Sequence, residues 1–162
     1  KKILFTLFAA LLFSTVTLAQ ERGLIRATLG LAYATEVEEV GINIGAEYLI
    51  TDEISGGISY STFFTPDPVS FSSINIDGRY YFLTDGPFVY GLFGIGIVRS
   101  EVEVPNFFGI GDTSVSDSEV GLNIGTGALF RLTDNIGALG QLKYNTAASG
   151  QLVIQAGLAY TF

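Results

Sequence analysis

Apolar and polar residues alternate with a period of two along most of the chain from Ile25 onward. In the segment around Asn123, Val120 and Leu122 lie on one side, while Gly121 and Asn123 lie on the other. Successive side chains of a β-strand point to opposite faces of the sheet, so this period predicts strands rather than helices. The predicted strands are Ile25–Tyr33, Val40–Ile50, Ile54–Phe64, Ile74–Phe82, Phe88–Val98, Val120–Leu132, Ile136–Tyr144 and Leu152–Phe162. In the fifth strand glycines fall on both faces, which predicts a bulge or a kink there.

Connections of two kinds join these strands. A Thr-Asp turn recurs in Leu49–Ile54, Phe82–Pro87 and Arg131–Ile136, and it joins strands 2 to 3, 4 to 5 and 6 to 7. Asp, Asn and Gly suit tight turns, so these connections form one rim, which we call the turn rim. The other connections are longer, up to residues 99–119, and form the loop rim. This arrangement predicts an all-β fold, an eight-stranded antiparallel up-and-down barrel, whose closure removes exposed strand edges.

The first residues are set apart from the barrel by their composition. Lys1 and Lys2 precede the apolar run Ile3–Phe13, and a small-x-small site ends at Ala19. This pattern predicts a signal peptide over residues 1–19 with cleavage after Ala19, leaving a barrel of residues 20–162. A membrane-anchoring helix is the alternative, although the apolar run is short for the roughly 20 residues that span a bilayer.

The composition of the polar faces decides which side of the barrel points outward. Hydrophobic residues make up 48% of the chain and charged residues 15%. The polar faces hold mainly Gly, Ser, Asn, Thr and Gln, whereas a water-facing surface is about a quarter to a third charged. Strands of about ten residues suit a tilted crossing of the hydrocarbon, and outward aromatic residues gather near strand ends, as in membrane girdles. We therefore expect a transmembrane barrel with lipid outside; a secreted soluble barrel around a ligand is the weaker alternative.

A small set of charged residues falls on the predicted inner face. A hairpin symmetric about Ala34–Glu39 places Arg26 opposite Glu47, and Asp77 and Arg79 are neighbours on one face. Such charges are costly unless paired, so one interpretation is a salt-bridge network that fills the barrel. The other is a narrow polar path biased toward anions, because cations outnumber carboxylates. The predicted lumen network comprises Arg26, Glu47, Asp77, Arg79, Arg131 and Lys143.

Taken together, the leader, the eight alternating strands and the end of the chain resemble a known family. The sequence is similar to the small eight-stranded outer-membrane barrels of Gram-negative bacteria, the OmpX and OmpA barrel-domain type. The resemblance implies a monomer in the bacterial outer membrane that contacts the lipid bilayer and lipopolysaccharide. It also implies that Tyr160 and Phe162, near the chain end, form the signal read by the barrel-assembly machinery.

The loop rim carries much of the acidic charge and two adjacent aromatic residues. One interpretation of these acids is binding of Ca²⁺ or Mg²⁺ that bridges to lipopolysaccharide phosphates; the other is a solvated surface. Phe107 and Phe108 are candidates for contact with a partner or for packing back on the loop. The acids are Glu36, Glu38, Glu39, Asp67, Glu101, Glu103, Asp112, Asp117 and Glu119.

Composition also narrows the function. The chain has no His and no Cys, and no Ser lies in a motif that supplies an activating base, so we expect no catalysis, cofactor or metal. Loss of Lys1 and Lys2 changes the formal charge from −8 to −10, which disfavours nucleic acid. Two hypotheses remain: a non-catalytic barrel with a structural or adhesive role in the envelope, or a narrow pore for small solutes.

Overall fold

The computed structural model describes residues 22–84, 86–104, 113–147 and 149–162. The eight strands are β1 Ile25–Ala34, β2 Glu39–Leu49, β3 Ile54–Phe63, β4 Val69–Leu83, β5 Phe88–Val104, β6 Thr113–Arg131, β7 Ile136–Asn145 and β8 Gln151–Thr161. Each strand pairs antiparallel with the next, and β8 pairs with β1 to close the barrel. The predicted fold class and strand order are confirmed. Within these residues no helix reaches the length and apolarity needed to cross a bilayer. The predicted signal peptide, residues 1–19, lies outside the described residues and stays a prediction.

The apolar face of the barrel is its outer face. On β1, Leu29 and Leu31 are 61% and 58% exposed, whereas Arg26 on the opposite face of the same strand is 3% exposed. The same inversion recurs around the barrel, where Ile, Leu and aromatic side chains point outward and Asn, Gln and charged side chains are enclosed. This distribution is opposite to that of a soluble barrel built around an apolar ligand site.

The recurring Thr-Asp turns owe their hydrogen bonds to threonine. The hydroxyl oxygen of Thr51 accepts from the amide of Ile54 at 2.9 Å, and Thr133 accepts from Ile136 at 3.0 Å. A backbone hydrogen bond also closes each of these turns. The amide of Thr51 donates to the carbonyl oxygen of Ile54, and the amide of Thr133 donates to that of Ile136. Side-chain acceptance of a nearby amide is the usual role of Thr in turns. In the third turn Asp85 lies outside the described residues.

The longest connection predicted from the sequence is mostly strand. The sequence predicts a loop over residues 99–119, but β5 continues to Val104 and β6 begins at Thr113. The two strands stay paired from Phe88↔Leu129 through Val104↔Thr113. The physical reason is that the acidic segments around Glu101 and Asp117 keep strand alternation, and a strand beyond the apolar belt needs no apolar outer face. For the same reason β4 begins at Val69, where it pairs with Val102, rather than at Ile74.

The irregularity expected in β5 lies in its neighbour. β5 alternates without interruption, and the register shift occurs in β4 between Tyr81 and Leu83. The glycines of β5 have a different use: a Cβ on Gly94 would overlap the carbonyl oxygen of Ile76, and one on Gly96 would lie 2.7 Å from the Oδ1 atom of Asn75. They make room for close strand approach and for enclosed polar side chains.

Candidate functional site

The barrel interior is built in three layers. A polar middle lies between two groups of buried apolar side chains, one at each rim. The loop-end cluster consists of Ala32, Ala34, Phe63, Phe71, Val98, Ala147 and Val153. The turn-end cluster consists of Tyr81, Phe88, Tyr90, Leu92, Leu129 and Ala159. The aromatic rings are in contact within each cluster, with centroids 5.6 Å apart for Phe63 and Phe71 and 5.1 Å apart for Tyr81 and Tyr90.

Glu47 is the centre of the charge network nearest the turn rim. The guanidinium of Arg26, its register partner on β1, lies 3.2 Å from the Oε2 atom of Glu47. Arg79 reaches the same oxygen at 2.5 Å. Ser55 and Tyr81 donate to the other carboxylate oxygen, Oε1, Tyr81 at 2.6 Å. Glu47 therefore has two cationic and two hydroxyl partners, which satisfies an otherwise costly buried charge.

A second network spans the barrel farther from the turn rim. The Lys143 ammonium lies 3.3 Å from the Oδ2 atom of Asp77. The side-chain amide of Asn123 donates to Asp77 Oδ1 at 2.7 Å and to Asn75 at 3.0 Å. Asn145 in turn donates to the Oδ1 atom of Asn123 at 2.5 Å. Asp77 thus pairs across the lumen with β7, and not with Arg79 on its own strand.

Gln141 links the Glu47 network to β5 and β8. Its Oε1 atom accepts from the Tyr90 hydroxyl at 2.9 Å and from Arg79 at 3.5 Å. Its Nε2 atom donates to Gln155 at 2.8 Å. Hydrogen bonds consequently link β4, β5, β7 and β8 across the interior, which stiffens the polar middle.

Arg131 does not join these networks. It lies on β6 at the turn rim, partly exposed, with its guanidinium carbon 5.3 Å from the centre of the Phe88 ring. Among the described residues it forms no ion pair with Glu47 or Asp77. The contact that the structure gives Arg131 is therefore a cation–π contact with Phe88 of the turn-end cluster, and its place in a lumen network of charges stays a prediction.

Space inside the barrel is very limited. The cavity in the polar middle has a volume of about 10 Å³ and is lined by residues of β3, β4, β5, β7 and β8. This is about the space that a single water molecule needs. Buried apolar side chains lie at both ends of this polar middle, and an eight-stranded barrel is in general just wide enough for its own side chains.

The hairpin of β5 and β6 extends beyond the end of β7, while β4 stays paired with β5 as far as Val102. β7 pairs with β6 only from Asn123 to Arg131, so the backbone of residues 113–118 of β6 has no strand partner on that side among the described residues. Arg99 and Glu101 form an exposed ion pair there at 3.4 Å. We call residues 99–104 and 113–122 the long hairpin. Unpaired strand edges readily accept another extended chain.

The acidic residues of the loop rim divide between loops and strands. Glu36, Glu38 and Asp67 lie in loops, and Glu39 begins β2. Four others belong to the long hairpin: Glu101, Glu103, Asp117 and Glu119. No group of three acidic side chains among the described residues is placed to hold a metal ion. Asp112, Phe107 and Phe108 lie outside the described residues, so the suggested contact role of the two phenylalanines stays a prediction.

Outward aromatic residues form two belts. Near the turn rim they are Tyr48, Tyr80, Phe82, Phe130, Tyr160 and Phe162. Near the loop rim they are Tyr33, Tyr60, Phe64 and Tyr144. The rings of Tyr160 and Phe162, the residues implied in assembly, meet edge to face with centroids 4.8 Å apart and point outward.

Sequence reasoning overlooked the uncharged members of the interior. Tyr81 and Tyr90 are buried in the turn-end cluster and contact Glu47 and Gln141 through their hydroxyl groups. Strand alternation places both tyrosines on the inner face of β4 and β5, and this position is the sequence signal for their burial. The signal is weak because both faces of these strands carry aromatic or aliphatic residues.

Comparison with known proteins supports the fold. No protein-family model and no curated protein sequence matches the chain. Among solved structures, the N-terminal β-barrel domain of OprF from Pseudomonas aeruginosa is 19% identical, with a TM-score of 0.66, covering 88% of this chain and 100% of that one. Ail, the attachment invasion locus protein of Yersinia pestis, in complex with the heparin analogue sucrose octasulfate, is 18% identical, with a TM-score of 0.65 and coverage of 87% and 99%. Neisserial surface protein A is 20% identical, with a TM-score of 0.62 and coverage of 86% and 96%.

Proposed function

We propose that this chain, which shares the fold of the small eight-stranded outer-membrane barrels, is a non-catalytic integral protein of the bacterial outer membrane with a sealed interior. The observation that carries the proposal is the inverted surface: apolar side chains face outward between two aromatic belts, and paired charges are enclosed. In water such an exterior would be an aggregation hazard, whereas against acyl chains it is the stable arrangement.

The dimensions of the barrel are consistent with a bilayer. The shortest strands, β1, β3 and β7, have 10 residues each. A strand tilted by about 45° needs roughly 9 to 11 residues to cross the hydrocarbon core. The immediate partners in this proposal are the lipid bilayer and lipopolysaccharide, with the barrel-assembly machinery acting through Tyr160 and Phe162 and the folded protein a monomer.

A sealed barrel is favoured over a pore because both ends of the lumen are apolar. Ions passing along the axis would have to displace Phe63 and Phe71 at one end and Tyr90 at the other. The observation that favours a pore is the charge balance inside the barrel, where the cations Arg26, Arg79 and Lys143 outnumber the two carboxylates.

Planar-bilayer recording of refolded protein separates these two functions. We expect no reproducible conductance steps from the unaltered protein. Anion-selective steps that disappear in Arg79→Gln but persist in Arg99→Gln would overturn the sealed barrel, because Arg99 lies outside the lumen and is the matched control.

Surface interaction is the role that the long hairpin supports. It has an open strand edge, and its residues carry one base against four acids. Ail, similar in fold, is by name an attachment protein, and it was solved with a sulfated heparin analogue. The acidic hairpin of this chain is suited to a cationic protein surface and not to a sulfated polysaccharide, because like charges repel.

Adhesion of bacteria that display the protein tests this role. Arg99 and Ser118 are register partners, so replacing residues 100–117 by Asn-Gly shortens the hairpin with a tight turn. We expect fewer cells to adhere to epithelial monolayers. The matched control keeps the hairpin length and changes Glu36 and Glu38 to Gln on a different loop. Equal adhesion of the shortened and unaltered proteins would contradict an adhesive hairpin.

Cell fractionation tests the weaker alternative of a secreted soluble barrel. A ligand site of that kind is about 300 Å³ or larger, against about 10 Å³ in the polar middle here. We expect the protein in the outer-membrane fraction, resistant to carbonate extraction. Recovery of folded protein from the culture medium would contradict membrane integration.

A further inference from the structure

The small cavity in the polar middle is bordered by an unusual combination of groups. Gln151, Gln155 and Lys143 line it from β7 and β8. Val98 and Val153 of the loop-end cluster line it on the side of the loop rim. A cavity of about 10 Å³ with polar walls accommodates one water molecule, whereas apolar cavities of this size stay empty.

Two polar atoms of the residues that line this cavity have no hydrogen-bond partner among the described residues. They are the Oε1 atom of Gln151, an acceptor, and the Nε2 atom of Gln155, a donor. The two residues are 2% and 6% exposed, so bulk solvent does not supply the missing partners. Leaving a buried polar group unpaired is costly, and nearly all such groups in folded proteins are paired.

Lys143 adds spare donors at the same place. An ammonium group has three N–H donors, and within the part of the chain that the structure describes Lys143 makes one hydrogen bond, to Asp77 at 3.3 Å. The side chain is 2% exposed, so its remaining donors also point into the enclosed interior.

We propose that this cavity is a binding site for one water molecule. The water accepts hydrogen bonds from the Lys143 ammonium and from Gln155 Nε2, and it donates one to Gln151 Oε1. Three partners match the usual coordination of a buried water. The water supplies the missing contacts of both glutamines and solvates the ammonium in an otherwise dry barrel.

The position of the site also indicates the route by which this water exchanges with bulk solvent. On the side of the turn rim, Gln141 and the Glu47 network separate the site from solvent. On the side of the loop rim, the loop-end cluster lies between the site and solvent, and its Val98 and Val153 line the cavity. Exchange therefore requires opening of the loop-end cluster, and truncating that cluster should accelerate it.

Magnetic-resonance detection of bound water in the refolded barrel in lipid nanodiscs tests the site. We expect cross-peaks between a long-lived water and the side-chain amide protons of Gln151 and Gln155, and loss of the Gln151 cross-peak in Gln155→Leu. Gln141→Leu breaks a hydrogen bond to Gln155 but does not line the cavity, so its cross-peaks should persist. No cross-peak in the unaltered protein, with its barrel fold verified by the amide spectrum, would overturn the proposal.

Residence times of the water test the route. Val153→Ala and Val98→Ala should each shorten the residence time about tenfold, the scale expected when two buried methyl groups no longer obstruct exchange. Leu129→Ala, an apolar truncation in the turn-end cluster, is the matched control and should leave it unchanged. Equal shortening in Leu129→Ala would overturn entry through the loop-end cluster.

Discussion

Replacing Glu47 by Ala removes the anion that two buried guanidinium groups share. Glu47 is 3% exposed, and Arg26 and Arg79 lie 3.2 and 2.5 Å from one of its oxygens. The enclosed charges change from three cations and two carboxylates to three cations and one carboxylate. The hydroxyl groups of Ser55 and Tyr81 lose their acceptor in the same substitution.

The expected cost follows from the burial of these groups. Removing one partner of a buried ion pair costs about 3 to 5 kcal/mol, because the remaining charge stays desolvated. We expect Glu47→Ala to lower the free energy of unfolding by about that amount. Glu53→Ala is the matched control: Glu53 is exposed at the turn rim, 3.5 Å from the Tyr80 hydroxyl, and its loss should cost less than about 0.5 kcal/mol.

Urea unfolding of the barrel in lipid vesicles, followed by tyrosine fluorescence, measures both variants. If Glu47→Ala and Glu53→Ala agree within about 1 kcal/mol, the stabilising role of the network is refuted. A double-mutant cycle with Arg79→Ala adds a second check. Because removing both partners leaves less unpaired charge, the double variant should lose less than the sum of the single losses.

Three further predictions concern packing, assembly and closure. Gly30→Ala should destabilise the barrel by about 1 to 3 kcal/mol in the same urea assay, because a Cβ there would lie 2.7 Å from the Cα atom of Gly157; Gly140→Ala, with nothing within 4 Å, should not. Phe162→Ala should lower the amount of assembled barrel in cells. The purified variant, refolded in detergent, should keep the stability of the unaltered protein. A normal amount of assembled barrel in cells would contradict the assembly role of Tyr160 and Phe162. The unaltered protein should migrate faster on detergent gels before boiling than after it, and identical mobility would argue against a closed barrel.

The architecture could be read from the sequence because alternation and turns are local signals. The strand period reports which face each residue occupies, and a one-residue error would have inverted the whole assignment. The recurrence of Thr51 and Thr133 at equivalent positions fixed which connections are tight. Neighbouring-strand register also follows from a hairpin, and Arg26 does face Glu47 across β1 and β2.

Contacts across the lumen could not be read in the same way. Asp77 and Lys143 are 66 residues apart and belong to β4 and β7, which are not neighbours in the sheet. Their meeting depends on barrel closure and on side-chain length, which strand alternation does not report. The long hairpin differs from the predicted loop for another reason: acidic residues such as Glu101 and Asp117 are compatible with a strand outside the apolar belt.

The most direct test of the central claim is which face of β5 contacts acyl chains. The chain contains no Trp, so a single introduced Trp is an unambiguous reporter. Phe93 is 61% exposed on the outer face, and Tyr90, three residues earlier, is 0% exposed inside. In bilayers with brominated acyl chains, we expect strong quenching of Trp fluorescence in Phe93→Trp and little quenching in Tyr90→Trp. Equal quenching, or stronger quenching of Tyr90→Trp, would contradict an apolar face turned toward lipid.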